Sequence, residues 1–307
     1  MTEQAFFTSV DHLIIGVRDL DAASRSYGEM LGRAPSWSGS HPAYGTRNAI
    51  FGLAGSYLEV LALGPDPPRH PVAVALDHFL AARSDGPFAL ALATPDAAHA
   101  AARLRQAGVA TAPVAAGEAI SSSGARRRWL AFMIAPEDAR GINLLGIEHA
   151  EPGSIPSSVA VADAASTASA IDHIVIFSDD VGSALRLWRD RLGVAVRWQR
   201  ELTERGTVNV GLRLGDLTLE LVARLGAPLG TRGEQLWGVA YAVGDCAQAV
   251  ARLRRAGIPV TDPREGLAHA TRVATVKWAD RSPTLLIEHT ARTTRGDSAS
   301  GPGSGGA

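Results

Sequence analysis

The chain repeats itself. Residues from Asp11 read DHLIIGVRDLDAASRSYGEMLG, and residues from Asp172 read DHIVIFSDDVGSALRLWRDRLG, an offset of 161 residues. The register holds without a gap. Gly45-Thr46 returns as Gly206-Thr207, Asn48 as Asn209, and Leu58-Glu59 as Leu219-Glu220. An ungapped repeat of this length specifies two copies of one structural unit. A His and a Glu are among the residues kept in register, so the repeat bears on chemistry as well as on fold.

Each half divides again. Ser9 to Val17 alternates and is rich in branched residues, which predicts a strand. Asp19 to Leu31 is helical, with Asp19 or Asp21 as N-cap and Gly32 as the stop. Residues 45–53 and 56–63 then read as strands. From Gly86 the order restarts: PFALALATP as a strand, DAAHAAARLRQAG as a helix ending at Gly108, and strands over 127–134 and 141–149. In the second half a first unit spans about 170–225, and a last one runs from Leu236 through a helix Cys246–Ala256 to a strand Thr284–His289. The helix endings ARLRQAGVAT and ARLRRAGIPV match each other, so the order is four units alternating in type.

The expected fold is α+β: four βαβββ modules paired into two curved-sheet troughs. An N-terminal domain over 8–150, a linker over 151–169, a C-terminal domain over 170–292 and a disordered tail over 293–307 follow from composition. The linker is Ser-, Ala- and Pro-rich, and the tail is Gly- and Ser-rich. A short helical segment near Val72–Ala82 reads as a surface element between the first two modules.

Net charge is −1, so no global field recruits nucleic acid or an anionic membrane. No apolar stretch approaches the ~20 residues of a membrane span, and no secretory signal is visible. The expectation is a soluble cytoplasmic protein with a small-molecule ligand, a homodimer remaining open. Cys246 is the only cysteine, so an internal disulfide is excluded, and it reads as a small buried residue. The basic run Arg126-Arg127-Arg128 reads as a solvated strand entry, with anion binding as the alternative.

His12 opens the first strand, and Glu59 interrupts the apolar strand YLEVLAL. With Leu58 and Val60 on the helix side, Glu59 faces the trough. A lone Glu there is costly unless hydrogen-bonded or metal-bound. The recurrence as His173 and Glu220 favours metal, and imidazole plus carboxylate suits Zn, Mn, Fe, Co or Ni. Thr46 with Asn48, and Thr207 with Asn209, share strand faces and suggest oriented hydrogen bonds to a ligand or to loop backbone. His41, in the loop SHPAYGT, has no copy in the second half and is a candidate general acid/base of the first trough. Trp37, Trp188, Trp198 and Trp237 read as core or trough wall.

The segment DHLIIGVRDLDAASRSYGEMLG, followed by a YLEV strand, resembles the vicinal oxygen chelate superfamily, which includes glyoxalase I, methylmalonyl-CoA epimerase and extradiol dioxygenases. SHPAYGTRNAIFGLAGSYLEVLALGPDPP is similar to its glyoxalase-like branch. The resemblance implies a divalent metal chelated by two substrate oxygens. It places metal ligands at His12 and Glu59 and at His173 and Glu220. The full ligand set adds a His on the partner module's first strand and a Glu on its last. GPFALALATP and EQLWGVAYAV contain no His. Glu148 and Glu288 are the candidates for the last-strand Glu, Glu148 also as a catalytic residue, with His149 and His289 the weaker ones. The expected function is a metal-dependent enzyme of isomerase, lyase or dioxygenase type. The alternative is a non-catalytic binder that sequesters a drug or metabolite. The first trough is expected to be the main site.

Overall fold

The computed structural model describes residues 6–151, 153, 155, 157–226, 233–277 and 282–290, and the expected tail lies outside them. Four βαβββ modules follow one another. The first is β1 (Ser9–Gly16), α1 (Leu20–Leu31), β2 (Trp37–His41), β3 (Thr46–Leu53) and β4 (Ser56–Leu63). A connecting helix α2 (Pro71–Ala82) leads to β5 (Gly86–Ala93), α3 (Ala97–Gln106), β6 (Ala115–Ser121), β7 (Arg126–Met133) and β8 (Asn143–His149). The second half begins with β9 (Ala168–Ser178), α4 (Val181–Leu185), β10 (Ala195–Leu202), β11 (Thr207–Leu214) and β12 (Leu217–Arg224). It ends with β13 (Glu234–Val243), α5 (Cys246–Arg255), β14 (Arg264–Glu265), β15 (Thr271–Val276) and β16 (Thr284–His289). The helix α4 runs on as a wider turn over Arg186–Arg191.

One local rule recurs in every module. An Asp in extended backbone caps the crossover helix, accepting the N–H of the residue three positions on. The pairs are Asp19 with Ala22, Asp96 with His99, Asp180 with Ser183 and Asp245 with Gln248. Each cap satisfies an orphan helix donor and is worth about 1 kcal/mol.

Within each half the modules pair edge to edge through their first strands, β1 against β5 and β9 against β13. The first half then closes into a barrel of order β1-β4-β3-β2-β6-β7-β8-β5. Closure depends on the short β2–β6 ladder, Gly39 opposite Ser121 and Ser40 opposite Ile120. A Cβ on Gly39 would stand 2.5 Å from the Ile120 carbonyl oxygen, so only glycine lets these strands meet. Arg200 holds the matching place in β10, and the second sheet stays open, in the order β10-β11-β12-β9-β13-β16-β15-β14.

The outer faces of both sheets share one apolar core with α1, α3, α4 and α5, running through Leu13, Leu58, Leu90, Leu144, Ile174, Leu219 and Leu286. The halves are joined by more than chain continuity. Ala54 bridges Ala170, and Arg252 donates to the carbonyls of Glu29 and Met30 at the end of α1. Residues of the expected linker pack on the first half as well: Ser158 N–H donates to Gly52, and Arg33 Nη1 donates to the Ser158 carbonyl at 2.6 Å.

The connecting helix α2 is the expected surface element, and its buried face also covers the first trough. Leu76 and Leu80 pack on Ile14, Leu61 and Phe88, across the mouth of the first trough. Gly16 admits it, because a Cβ there would meet Leu76 Cδ1 at 2.8 Å. Phe177 stands at the matching place in β9. No described helix is long and apolar enough to cross a membrane.

Candidate small-molecule site

The barrel interior of the first half encloses a cavity of about 480 Å³. Alternation along β1 and β4 turns His12 and Ile14, and Tyr57, Glu59 and Leu61, into it. Leu58 and Val60 go to the core on the other side. Phe88, Trp129, Met133 and Leu145 supply much of the apolar wall, and Val72 and Ala75 of α2 close it above.

Five of the expected residues meet on one floor. His12 Nε2 lies 3.4 Å from Glu59 Oε2, and His41 Nε2 lies 3.7 Å from Glu59 Oε1. Asn48 donates from Nδ2 to Glu59 Oε1 at 2.6 Å and reaches His41 Nε2 at 3.3 Å. His41 Nδ1 and the Thr46 hydroxyl are 2.9 Å apart. His41 is not in a loop: it ends β2, opposite Thr46 in β3, and is buried.

Asp11 extends the network, and sequence reasoning passed over it although the DH pair recurs at Asp172. Its Oδ1 lies 2.6 Å from His12 Nδ1, and its carboxylate is 3.0 Å from His149 Nε2. Burial alone would lower the His12 pKa. Hydrogen bonds and charge from Asp11 and Glu59 outweigh it and raise the value to about 9. Burial would likewise raise Glu59, yet His12, His41 and Asn48 hold it well below the ordinary carboxylate range. His41 goes the other way: burial lowers it, Glu59 opposes, and the charges of Arg127 and His12 lower it further. The floor therefore holds an imidazolium between two carboxylates, with a neutral imidazole beside them.

The second trough repeats the grammar with fewer parts. His173 Nε2 lies 3.6 Å from Glu220 Oε2, and Asn209 donates to Glu220 Oε1 at 2.7 Å. Thr207 donates to Asn209 Oδ1 at 2.9 Å, and Asp172 lies 2.7 Å from His173 Nδ1. Leu202 replaces His41. The His173 and Glu220 side chains are each 18% exposed, against 4% and 9% for His12 and Glu59.

Glu148 and Glu288 do not join either trough. Glu148 Oε2 accepts the Ala97 N–H at 2.8 Å, and Glu288 Oε2 accepts the Cys246 N–H at 2.9 Å. Each is spent on the exposed N–H groups and positive end of its module's helix. Their neighbour His149 lines the first cavity, 3.0 Å from Asp11, and the exposed His289 lies 2.5 Å from Asp172. Among the tryptophans, Trp188 is core and donates to Glu234 at 3.0 Å, whereas Trp237 is exposed. Trp129, not singled out from sequence, lines the cavity.

These residues do not fit a complete protein-held metal site. The helix caps align the modules, so Ala89, seven residues before Asp96, matches His12, seven before Asp19. The parallel ladders put Leu145 where Glu59 stands, since Ala89 opposes Asn143 as His12 opposes Tyr57. The expected second His and second Glu are thus Ala and Leu in the cavity wall. No set of three or more His, Cys, Asp or Glu side chains with metal-binding geometry forms among the described residues.

Comparison with known proteins agrees with the fold. Residues 10–163 match the model of the glyoxalase-like domain, and residues 172–275 match the glyoxalase/bleomycin resistance protein/dioxygenase superfamily. No curated protein matches the chain by sequence. A hypothetical protein from Staphylococcus aureus superposes with a TM-score of 0.63 at 14% identity, covering 91% of this chain and 98% of its own. A mutant of 4-hydroxymandelate synthase from Streptomyces coelicolor gives 0.63 at 16%, covering 93% and 94%. With a tandem pair of matching domains spanning most of its length, the chain belongs to the glyoxalase/bleomycin resistance protein/dioxygenase superfamily, the vicinal oxygen chelate fold.

Proposed function

We propose that the first trough is the working site and that it binds a small organic molecule without a metal held by the protein. One observation carries this: a covered cavity with apolar walls and its polar groups gathered on one floor, the usual anatomy of a small-molecule site. Its volume of about 480 Å³ suits a ligand with an aromatic or aliphatic body. The floor polar groups bond mainly to one another, which favours a preformed binding surface over a reactive one. The incomplete donor set gives ring-opening dioxygenation no support from these residues.

A second reading, proton transfer on the bound molecule, is favoured by His41. Burial favours the neutral form of its imidazole, and Thr46 and Asn48 fix its ring, so it is the candidate base of the floor. Glu59 is a weaker base, because its carboxylate is stabilised by His12 and Asn48.

Calorimetric titration with a neutral aryl amide such as 2-naphthylacetamide tests the binding site. Wild type should bind, and Ala89→Leu, which fills the cavity, should bind at least about tenfold more weakly with unchanged unfolding temperature. Equal binding by both proteins sinks the assignment. Exchange of deuterium from solvent into the bound probe, lost in His41→Gln, would establish the second reading over the first.

A further inference from the structure

The basic run on β7 splits by strand alternation. Arg126 and Arg128 point outward and share Glu118, at 2.6 and 2.9 Å. Arg127 points inward, is 7% exposed and lines the cavity. Its guanidinium carbon lies over the rings of Trp37 and Tyr57, 5.5 and 5.7 Å from their centroids.

A buried guanidinium is ordinarily paired with a carboxylate, because an uncompensated charge in a dry interior is expensive. Arg127 has no carboxylate within 4.0 Å among the described residues, and its Nε has no hydrogen-bond partner. Its contact with the Tyr57 phenol is with a neutral group, since burial holds that phenol protonated. The carboxylates of the floor network are committed elsewhere, Asp11 to His12 and His149, and Glu59 to His12 and Asn48. The two rings hold the guanidinium at the cavity wall, where its donors suit a planar anion.

We infer that the molecule bound in the first trough carries a carboxylate, and that Arg127 receives it. This rests on the cavity being a small-molecule site. The ligand class is then an organic acid with an apolar body, its charge pairing the guanidinium that has no carboxylate among the described residues.

The test is calorimetric titration of the full chain at neutral pH with 2-naphthylacetate and 2-naphthylacetamide, which differ only in charge at one end. Wild type should prefer the carboxylate by about tenfold or more. Arg127→Met should abolish that preference while leaving amide affinity within about threefold of wild type, and Arg127→Lys should keep part of it. If the amide binds as well as the carboxylate, or Arg127→Met weakens both alike, the inference is overturned and the cavity reading stands. If neither probe binds wild type, both readings fall. Should Arg127→Met not unfold cooperatively, the wild-type preference and its reduction in Arg127→Lys decide the matter.

Discussion

The carboxylate of Glu59 stands 3.4 Å from Nε2 of His12 with both side chains buried, and Asp11 holds the other face of the same imidazole at 2.6 Å. This places an imidazolium where the superfamily resemblance implies a metal ligand. The two residues that read as half a metal site form, with Asp11, a buried network of charged groups. The triad organises the cavity floor by fixing Glu59, which in turn fixes Asn48 and, through it, His41.

The triad sets a pH dependence of stability. The folded-state pKa of His12, about 9, lies above its unfolded value of 6.5. Its contribution is therefore fully present below pH 6.5 and is lost as pH rises through 9. The loss is on the order of 3 kcal/mol. Thermal unfolding should show a midpoint that falls steadily between those pH values in wild type and much less in Glu59→Gln. A flat wild-type profile over that window contradicts the assignment.

The two troughs should respond unequally to loss of their glutamates. Glu59→Ala leaves the buried imidazolium with Asp11 alone and strands the Asn48 amide, which costs about 2–3 kcal/mol. Glu220→Ala removes a more exposed partner of His173 and Asn209, and about 1 kcal/mol is expected. Urea denaturation of the two variants measures the difference. Similar losses would mean that the second trough is as tightly built as the first.

The repeat made the modules and the inward placement of His12, Glu59, His173 and Glu220 legible, because an ungapped register and strand alternation are local properties. What escaped the sequence depends on partners far along the chain. WSGSH alternates small polar residues and gives no strand signal, so β2, and His41 with it, read as loop. Glu148-His149 and Glu288-His289 are adjacent pairs, and one residue of register exchanges the faces. The N–H groups of α3 and α5 decide that exchange, and the sequence does not show which carboxylate they will take. The segment 72–82 read as helical, but its role as a cover follows from the room left by Gly16.

Barrel closure should be sensitive to one methyl group. Gly39→Ala drives a Cβ into the Ile120 carbonyl, and a backbone atom yields little. A cost of about 1–3 kcal/mol is expected. Hydrogen exchange should rise in β2 and β6 while β10 and β14, at the edges of the open sheet, stay as in wild type. Unchanged protection across β2–β6 would show that the ladder tolerates the methyl.

Glu148 separates the metal reading from the capping one. As a helix cap, its loss in Glu148→Ala should cost about 0.5–2 kcal/mol in stability and leave probe affinity in the cavity unchanged. As a metal ligand, its loss would instead alter metal content and binding together. Exhaustive dialysis against a chelator, followed by elemental analysis and titration with the naphthyl probes, completes the comparison. The expected outcome is the same affinity before and after dialysis, in wild type and in Glu148→Ala. Stoichiometric zinc, manganese, iron, nickel or cobalt that leaves with the chelator, and takes affinity with it, would restore His12 and Glu59 as ligands.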